Sequence, residues 1–538
     1  MPQADDQFAQ ALSLARNGRF ADALAMLERH LTRRPGERRA LTARANLHME
    51  LGDPTAALAS CEQALALDPT DPATWVTRGN AEHRLARHEP AVASYDHALA
   101  LDPGLAIAHA NRARALIDLD RPEAALASAD AALALRADYF NAWMHRGVGL
   151  LALGRYDEAL ASFQSCVRLQ PNSHEALDNL GVALTAVGRH AEAIAALDLS
   201  IQREPARSVA RYHRAHARLL VRDFAGGWRD HEARWDVAAF VDRSAGFVTP
   251  ALRARLSADI TAGAMAGARV LLVSEQGVGD QVMFSSILPD LIAQAGAVTC
   301  ICDRRLIGLM ANSFPAVTFR DIRDTGPVDL DAFDRVIAMG SLGGLYRNRL
   351  GDFPGTPYVR PREAVVEGWA RRLGPRSGAL RVGLSWRGGT RTTRMDQRSL
   401  PLAALAPLLG LPDCEFVSLQ YGDAQAEVAA ANAQLNSNIR IFPADEIDDF
   451  EDLAGLVLNL DVVVSVQTTI VHLAGALGTE CLTLVPHRPE WRYTAEGSTM
   501  PWYGSVRLFR QPRPGSWDPV IGQVAEALSH RLGRSAWS

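Results

Sequence analysis

The sequence predicts an α-helical repeat solenoid followed by an α/β region with two parallel-sheet domains. Three observations carry this expectation. Positions 34 residues apart keep one class of residue through six repeats of the first 236 residues. From residue 268 onward, short β-branched apolar runs alternate with segments of helical spacing, the pattern of parallel sheets with crossover helices. Between the two, over 237–267, periodicity fades and Pro250 interrupts the chain.

The totals bound the function. A chain of 538 residues is long enough for several domains, and 48% hydrophobic with 22% charged residues is an ordinary globular balance. A net charge of −5 gives no basic footprint, so no nucleic-acid partner is expected. No apolar run reaches the length of about 18 residues that a membrane span needs. The first residues, Met-Pro-Gln-Ala-Asp-Asp6, lack a basic n-region and an apolar h-region, so a cytoplasmic location is expected. The six cysteines are scattered. Cys300 and Cys302 point the same way on a predicted strand, but no second pair offers zinc spacing, and all six read as reduced structural thiols.

The repeat is strict. Ala23, Ala57, Ala91, Ala125, Ala159 and Ala193 form one series; Ala45, Gly79, Ala113, Gly147, Gly181 and Ala215 form a second; Leu31, Leu65, Leu99, Leu133, Val167 and Ile201 form a third. Pro35, Pro69, Pro103, Pro171 and Pro205 mark the joints, with Ala137 in the missing slot. This is the tetratricopeptide (TPR) pattern of paired antiparallel helices. Small residues let the two axes cross closely, and the large apolar series fills the space between repeats. An irregular seventh unit, about 206–236, carries Trp228 and Trp235 in apolar slots and is expected to cap the solenoid. Such a stack binds extended peptides or protein surfaces along its concave face; a spacer or dimerisation role is the rival. The arrangement resembles the eukaryotic O-GlcNAc transferase, whose asparagines at one recurring slot grip acceptor backbone. That resemblance implies a peptide-binding role for Asn111 and Asn179. Here the same slot also holds Ala43, Thr77, His145 and His213, so the ladder is incomplete.

In the second half, 269–274 reads as a buried strand, followed by the turn Glu275-Gln-Gly-Val-Gly-Asp280 and a helix over 281–295 broken by Pro289. Residues 298–302, 316–319 and 335–339 are further strands. Gly277 and Gly279 do not make the dinucleotide fingerprint, because Met283 stands near the place of the third glycine. The turn resembles the Gly-Asp-x-x-x-x-x-Pro turn of heptosyltransferases, whose acidic residue is the acceptor's general base. The resemblance implies a catalytic role for Asp280, with Gln276, Gly277 and Gly279 as the acceptor-side loop. Pro289 lies later than the family spacing would put it. An N-cap role for Asp280 is the structural alternative, and Glu275 is the next acid to consider.

Residues 354–377 read as an interdomain connection with a helix over 364–373. A strand over 380–386 leads into a loop rich in Arg and Gly, 387–401. Arg398 and Ser399 close that loop, where heptosyltransferases carry a basic residue on the donor diphosphate; a forked guanidinium suits that task. Residues 415–421 and 439–442 are strands. The acids of 445–452 precede a helix and read as dipole-matching caps, so no metal site is expected.

The most informative stretch follows. Val462–Val466 is a β-branched buried strand, Gln467, Thr468 and Thr469 break it, and Ile470, Leu473, Ala474 and Leu477 follow at helical spacing until Gly478. A strand, a polar turn and a helix N-terminus favour phosphate. The stretch resembles the Asp-Thr-Gly-x-x-His-x-Ala-Ala-Ala turn of heptosyltransferases and related GT-B glycosyltransferases. Thr468, His472, Ala474 and Ala476 match, while Gln467 and Thr469 depart. By that resemblance Gln467, Thr468, Thr469 and His472 would meet the donor's phosphates. The aromatic segments 486–493 and 500–504 could stack on the donor base or belong to the core. A helix over 516–532 is expected to cross back onto the first α/β domain.

The resemblance implies an α-helical TPR solenoid (1–236), a linker (237–267), and a GT-B fold of two Rossmann-like domains (268–376 acceptor-side, 377–515 donor-side, 516–538 crossing helix). The implied activity is inverting, metal-independent transfer of sugar from a nucleotide sugar to a protein held by the solenoid, flagellin being one such acceptor, with no cofactor beyond the donor substrate. Two rivals stay open: a heptosyltransferase-like enzyme acting on lipopolysaccharide, and a TPR adaptor whose transferase half has lost catalysis.

Overall fold

A computed structural model describes residues 2–257, 261–323, 328–389, 395–443, 447 and 449–535. The chain divides into two compact units, Met1–Pro205 and Ala206–Ser538. Among the described residues, no helix is long and apolar enough to cross a membrane.

The first unit is a TPR solenoid of helical hairpins, from Pro2–Arg16 with Phe20–Arg33 to His174–Ala186 with His190–Arg203. The small-residue series sits where paired helices cross, and its identity follows the partner sixteen residues on. A Cβ at Gly79 would lie 2.6 Å from the Tyr95 ring, one at Gly147 2.5 Å from Phe163, and one at Gly181 2.5 Å from Leu197. Where the partner slot holds Cys61 or Ala129, the series has Ala45 and Ala113, and all four are fully buried. Within this unit, glycine appears where the opposing side chain is large, and alanine where it is small.

The second unit begins with one more hairpin at the same period, Ser208–Leu220 and Phe224–His231. The expected boundary at 236 lies inside this unit, for a packing reason. Trp228 is buried, donates Nε1–H to the Arg347 carbonyl at 2.7 Å, and meets Trp491 edge to face at 5.4 Å between ring centroids. Gly343 gives it room, since a Cβ there would lie 2.6 Å from the indole. The segment expected to be a linker is also committed. Phe247, Val248, Leu252 and Leu256 cover the face of the first sheet that presents Leu271, Val273, Ile301 and Val336. A parallel sheet must be buried on both faces, and this segment supplies one cover.

The first sheet has strands β1 (Arg269–Val273), β2 (Ala297–Cys302), β3 (Val317–Asp321) and β4 (Arg335–Ala338), ordered β3-β2-β1-β4 and parallel throughout. The second has β5 (Leu380–Ser385), β6 (Cys414–Ser418), β7 (Ile439–Arg440), β8 (Val462–Val466), β9 (Cys481–Val485), β10 (Thr499–Met500) and β11 (Tyr503–Arg510), ordered β10-β11-β9-β8-β5-β6-β7. Only the β10–β11 pair is antiparallel among these. One core cluster joins the halves: Val270, Leu272 and Met283 share it with Val471, Leu473 and Tyr503.

The last helix, Asp518–Ser535, does not cross back as expected. Its apolar stripe, Val520, Ile521, Val524 and Leu528, joins Val382, Leu384 and Leu405 in the core of the second sheet, and Arg531 Nη2 donates to the Asp461 carbonyl at 2.9 Å. An i, i+1, i+4, i+8 stripe finds its apolar partner on the nearest sheet face.

Candidate active site

In parallel α/β sheets, ligands bind beyond the carboxyl ends of the strands where the strand order reverses. Each sheet has such a point. In the first it lies between β1 and β4, and in the second between β5 and β8. The turn after β1 carries Gln276 to Asp280; the segment after β8 carries Gln467 to His472. The two turns meet: a Cβ on Gly279 would lie 3.2 Å from both His472 Cδ2 and Thr469 Oγ1. Glycine there lets the helix Val278–Phe284 approach the start of the helix Thr469–Leu477.

Asp280 is not an N-cap. Gly277 holds that place, and Asp280 lies in the first turn with its backbone N–H donating to the Gly277 carbonyl at 3.0 Å. Its carboxylate receives the Arg492 guanidinium instead. Arg492 Nη2 also donates to Gln276 Oε1 at 3.1 Å, and Nη1 lies 3.7 Å from Glu490. Burial pushes the Asp280 carboxyl above its usual range, and Arg492 opposes that shift. Glu275 is unavailable as an alternative base. It is fully enclosed and held by Arg234, itself 0% exposed, through Nε at 2.9 Å and Nη2 at 3.3 Å.

On the second half, Thr468 is the N-cap of its helix; its Oγ1 accepts from the Ile470 N–H at 3.2 Å and pairs with Ser465 Oγ at 3.0 Å. Thr469 is the first helical residue. Arg398 donates Nη2–H to the Gln467 carbonyl, and its Nη1 lies 3.9 Å from Glu490. Ser399 is a brace: its Oγ accepts from the Gly388 N–H at 3.1 Å. Gly388 must be small, since a Cβ there would lie 2.6 Å from Thr468 Cγ2 and 3.0 Å from the Gln467 oxygen. Residues 390–394 of this loop lie outside the described residues.

His472 is buried, with Nδ1 3.1 Å from the Tyr503 hydroxyl. Burial, together with Arg492 and Arg398, pushes its pKa down to about 3. The imidazole is therefore neutral at physiological pH and acts through a hydrogen bond, not a charge. The Tyr503 ring packs against Gly475, where a Cβ would meet it. Gln467 is the anomaly. It is 1% exposed, and among the described residues neither its amide nitrogen nor its amide oxygen has a hydrogen-bond partner. A buried amide with both ends unpaired is costly and calls for an explanation.

The aromatic segments are core: Trp491, Tyr493, Trp502 and Tyr503 are all buried. What sequence reasoning missed between them is Arg492 with Glu490. The available signal was a pair of charges inside a run of large aromatics. Of the acids at 445–452, 445, 446 and 448 lie outside the described residues. Asp449 caps the helix Phe450–Leu458 by accepting from Glu451 N at 2.8 Å and Asp452 N at 3.0 Å, and Glu451 holds Arg362 at 2.7 Å.

In the first unit, Asn111 donates to Asn80 Oδ1 at 2.8 Å and Asn179 donates to the Glu175 carbonyl at 3.0 Å. Both lie on the first helix of their hairpin, Ala106–Asp118 and His174–Ala186. His83, His88 and Asp118 bring one ligand atom each within 4.8 Å of one another. His83 Nε2 bonds Asp118 Oδ2 at 2.7 Å, and Arg114 Nε reaches the same oxygen at 3.3 Å, so a guanidinium already serves that carboxylate.

Comparison with known proteins agrees on the repeats. A tetratricopeptide-repeat family model matches residues 8–72, 110–174 and 144–208, and a second tetratricopeptide-repeat model matches 72–105. The chain is 30% identical over 339 residues to Protein FlbA of Caulobacter vibrioides, a match covering 60% of this chain and 55% of that one. It thus spans about half the length of this curated relative. The covered share of this chain exceeds the solenoid unit, so the match extends into the α/β unit. Among solved structures, a tetratricopeptide repeat protein from Parabacteroides merdae aligns at 17% identity and TM-score 0.37 over 43% of this chain and 93% of its own. TTC0263, a TPR protein of Thermus thermophilus, aligns at 25% identity and TM-score 0.30 over 34% of this chain and 98% of its own. The N-terminal unit is a tetratricopeptide-repeat solenoid, an architecture built for protein–protein contact, and it is joined to an α/β unit of parallel sheets.

Proposed function

We propose that the chain is a GT-B glycosyltransferase that moves a sugar from a nucleotide-sugar donor to a protein acceptor recruited by the solenoid. The observation that carries this reading is Gln467. Its buried, unpaired amide ends strand β8 at the strand-order reversal, one residue before a helix N-cap. An oxygen-rich ligand would satisfy the amide, and the helix N-terminus favours that ligand being a phosphate. The partial heptosyltransferase turn supports the same assignment. Asp280 stands where the two turns meet, which supports its role as acceptor base. Flagellin as acceptor rests on the resemblance alone.

The test is thermal unfolding of the full chain against a panel of nucleotide sugars and free nucleotides. A ligand at 100 times its Kd raises stability by about 2.7 kcal/mol. A hit is then followed by transfer of labelled sugar to candidate acceptor proteins. Stabilisation by no member of the panel would overturn the reading. The Asp280–Arg492 pair favours a second reading, an adaptor with a locked site; nucleotide binding without any transfer or donor hydrolysis would select it.

A further inference from the structure

Arg492 lies in the aromatic segment 486–493, where sequence reasoning assigned it no role of its own, yet it contacts both halves of the α/β unit at the site. It sits on the short turn Trp491–Tyr493 that follows strand β9. Its guanidinium reaches across to Asp280 and Gln276 of the first half and to Glu490 of its own. The Trp491 ring lies 4.7 Å from its central carbon and fixes the stem. The pair is at the crevice and not sealed beneath it: the Arg492 side chain is 13% exposed and that of Asp280 17%. Arg398, Glu490, Arg492 and Asp280 alternate in sign along one line, with 3.9 Å between the first two and 3.7 Å between the second and third.

We propose that Arg492 holds the donor's departing phosphate, and that in the free protein Asp280 occupies it, so that donor binding releases the carboxylate for the acceptor. The inference rests on the glycosyltransferase reading and deepens it. A guanidinium can serve a carboxylate or a phosphate with the same fork, but not both fully at once. A phosphate seated at the start of the helix Thr469–Leu477 would compete for Arg492, because the two helix turns are in contact through Gly279. Losing Arg492 leaves Asp280 without its main hydrogen-bond donor and makes the carboxylate a better proton acceptor.

The chemistry then balances. The acceptor hydroxyl's O–H bond breaks and its proton goes to Asp280. The acceptor oxygen's electron pair forms the new bond to the anomeric carbon. The bond from that carbon to the donor's phosphate oxygen breaks, and its electron pair stays on the phosphate, where Arg492 meets the new charge. Arg492 and Asp280 thus become one exchange element. A donor must arrive before the base is free.

The experiment measures binding of inorganic pyrophosphate and of nucleoside mono- and diphosphates to the full chain by calorimetry. The variants are Asp280→Asn, Arg492→Gln and the double variant, each first checked for cooperative unfolding. Because coupling between two ligands of one group is reciprocal, Asp280→Asn should tighten pyrophosphate binding by about fivefold or more. Arg492→Gln should weaken it about tenfold, and adding Asp280→Asn to Arg492→Gln should then change nothing. If Arg492→Gln does not fold, Arg492→Lys replaces it; the lysine keeps the charge but loses the fork, so affinity should drop while Asp280→Asn still tightens it.

An unchanged or weakened affinity in Asp280→Asn overturns the exchange, as does an Asp280→Asn gain that survives alongside Arg492→Gln. The arms separate the two claims. Nucleotides that bind with no response to Asp280→Asn leave the glycosyltransferase reading standing and sink the exchange. Pyrophosphate that follows the expected pattern while no nucleotide binds sinks the glycosyltransferase reading and, with it, the donor's part in the exchange, leaving only the competition of carboxylate and anion for Arg492. Failure of every anion to bind sinks both.

Discussion

Arg492, on the turn after strand β9, is hydrogen-bonded to the carboxylate of Asp280, on the first turn of the helix Val278–Phe284. The two residues are 212 positions apart in the chain and come from opposite halves of the α/β unit. Their contact brings the two strand-order reversals onto one crevice. It also changes what Asp280 substitutions should do.

Asp280→Asn keeps a side chain that can accept from Arg492 but cannot take a proton. On the proposed reading, transfer should slow by about 10²–10⁴-fold, the usual worth of a general base. Asp280→Ala carries no capping penalty, because Gly277 holds the cap position. Its stability loss should come from leaving Arg492 short of one charged partner, about 1–3 kcal/mol. Steady-state rates and denaturant unfolding on both variants check this; near-normal turnover in the asparagine variant removes Asp280 from the chemistry. With Glu275 held by Arg234, that acid is no substitute.

The fold of the α/β unit should depend on residues that the repeat pattern assigns to the solenoid. A fragment beginning at 237 loses Trp228 from the shared core and leaves Glu275 enclosed without Arg234. Breaking such a buried pair costs about 3–5 kcal/mol, and removing a buried Trp side chain about as much again. The expected outcome is no cooperative unfolding transition for a fragment starting at 237, and a clear one for a fragment starting at 206. The longer fragment should bind the nucleotide ligand of the whole chain yet lose transfer to the protein acceptor. Cooperative melting of the shorter fragment would show the hairpin to be dispensable.

His472 gives a pH-dependent prediction. Its pKa is 6.5 in the reference state and about 3 in the folded chain. The folded value lies below the unfolded one, so between them the unfolded chain binds the extra proton. Stability from this group is full above 6.5 and is lost as pH falls toward about 3. Asp280, shifted upward by burial, contributes with the opposite sign above its usual range. His472→Gln should therefore reduce the fall in melting temperature between about pH 7 and about pH 4; equal slopes in the two proteins would contradict it. Since the ring is neutral, His472→Ala should weaken phosphate binding by only about 0.5–1.5 kcal/mol, the worth of an uncharged hydrogen bond.

The repeats were legible because every hairpin obeys one local rule, repeated at a fixed period. Strands β1, β5, β8 and β9 were legible because buried parallel strands read as continuous apolar runs. Thr468 and Thr469 announced a helix start and supply one. What was not legible depends on pairings distant in sequence. Trp228 fits a repeat slot as well as it fits the core of the α/β unit, and only Gly343 and Trp491, far along the chain, decide between them. Asp280 fits an N-cap until Gly277 takes the place. Residues 516–532 show an amphipathic helix, but which sheet receives its stripe is a tertiary fact. Strand β11 was hidden because Tyr503–Arg510 interleaves arginines with apolar residues; Arg510 is spent on the carbonyls of Tyr493, Thr494 and Gly497.

Gln467 provides the sharpest separation of structure from function. A buried amide retained for folding would have its hydrogen bonds made within the protein, and its removal would destabilise the chain. Both amide atoms of Gln467 are unpaired among the described residues, so replacing the side chain by an apolar one of similar length removes a desolvation cost and none of the bonds found there. Gln467→Met should leave the melting temperature unchanged or raise it, since deleting an unsatisfied buried polar group is worth about 1–3 kcal/mol. The same variant should lose affinity for the nucleotide ligand, because the amide would meet that ligand's polar atoms. Gln467→Glu should keep the shape but add a negative charge beside the helix start, and so repel an anion more strongly than methionine does. Melting curves with and without ligand on the three proteins give the answer. A methionine variant that is both destabilised and unaltered in ligand affinity would make Gln467 a structural residue and withdraw the main support for a ligand at the end of strand β8.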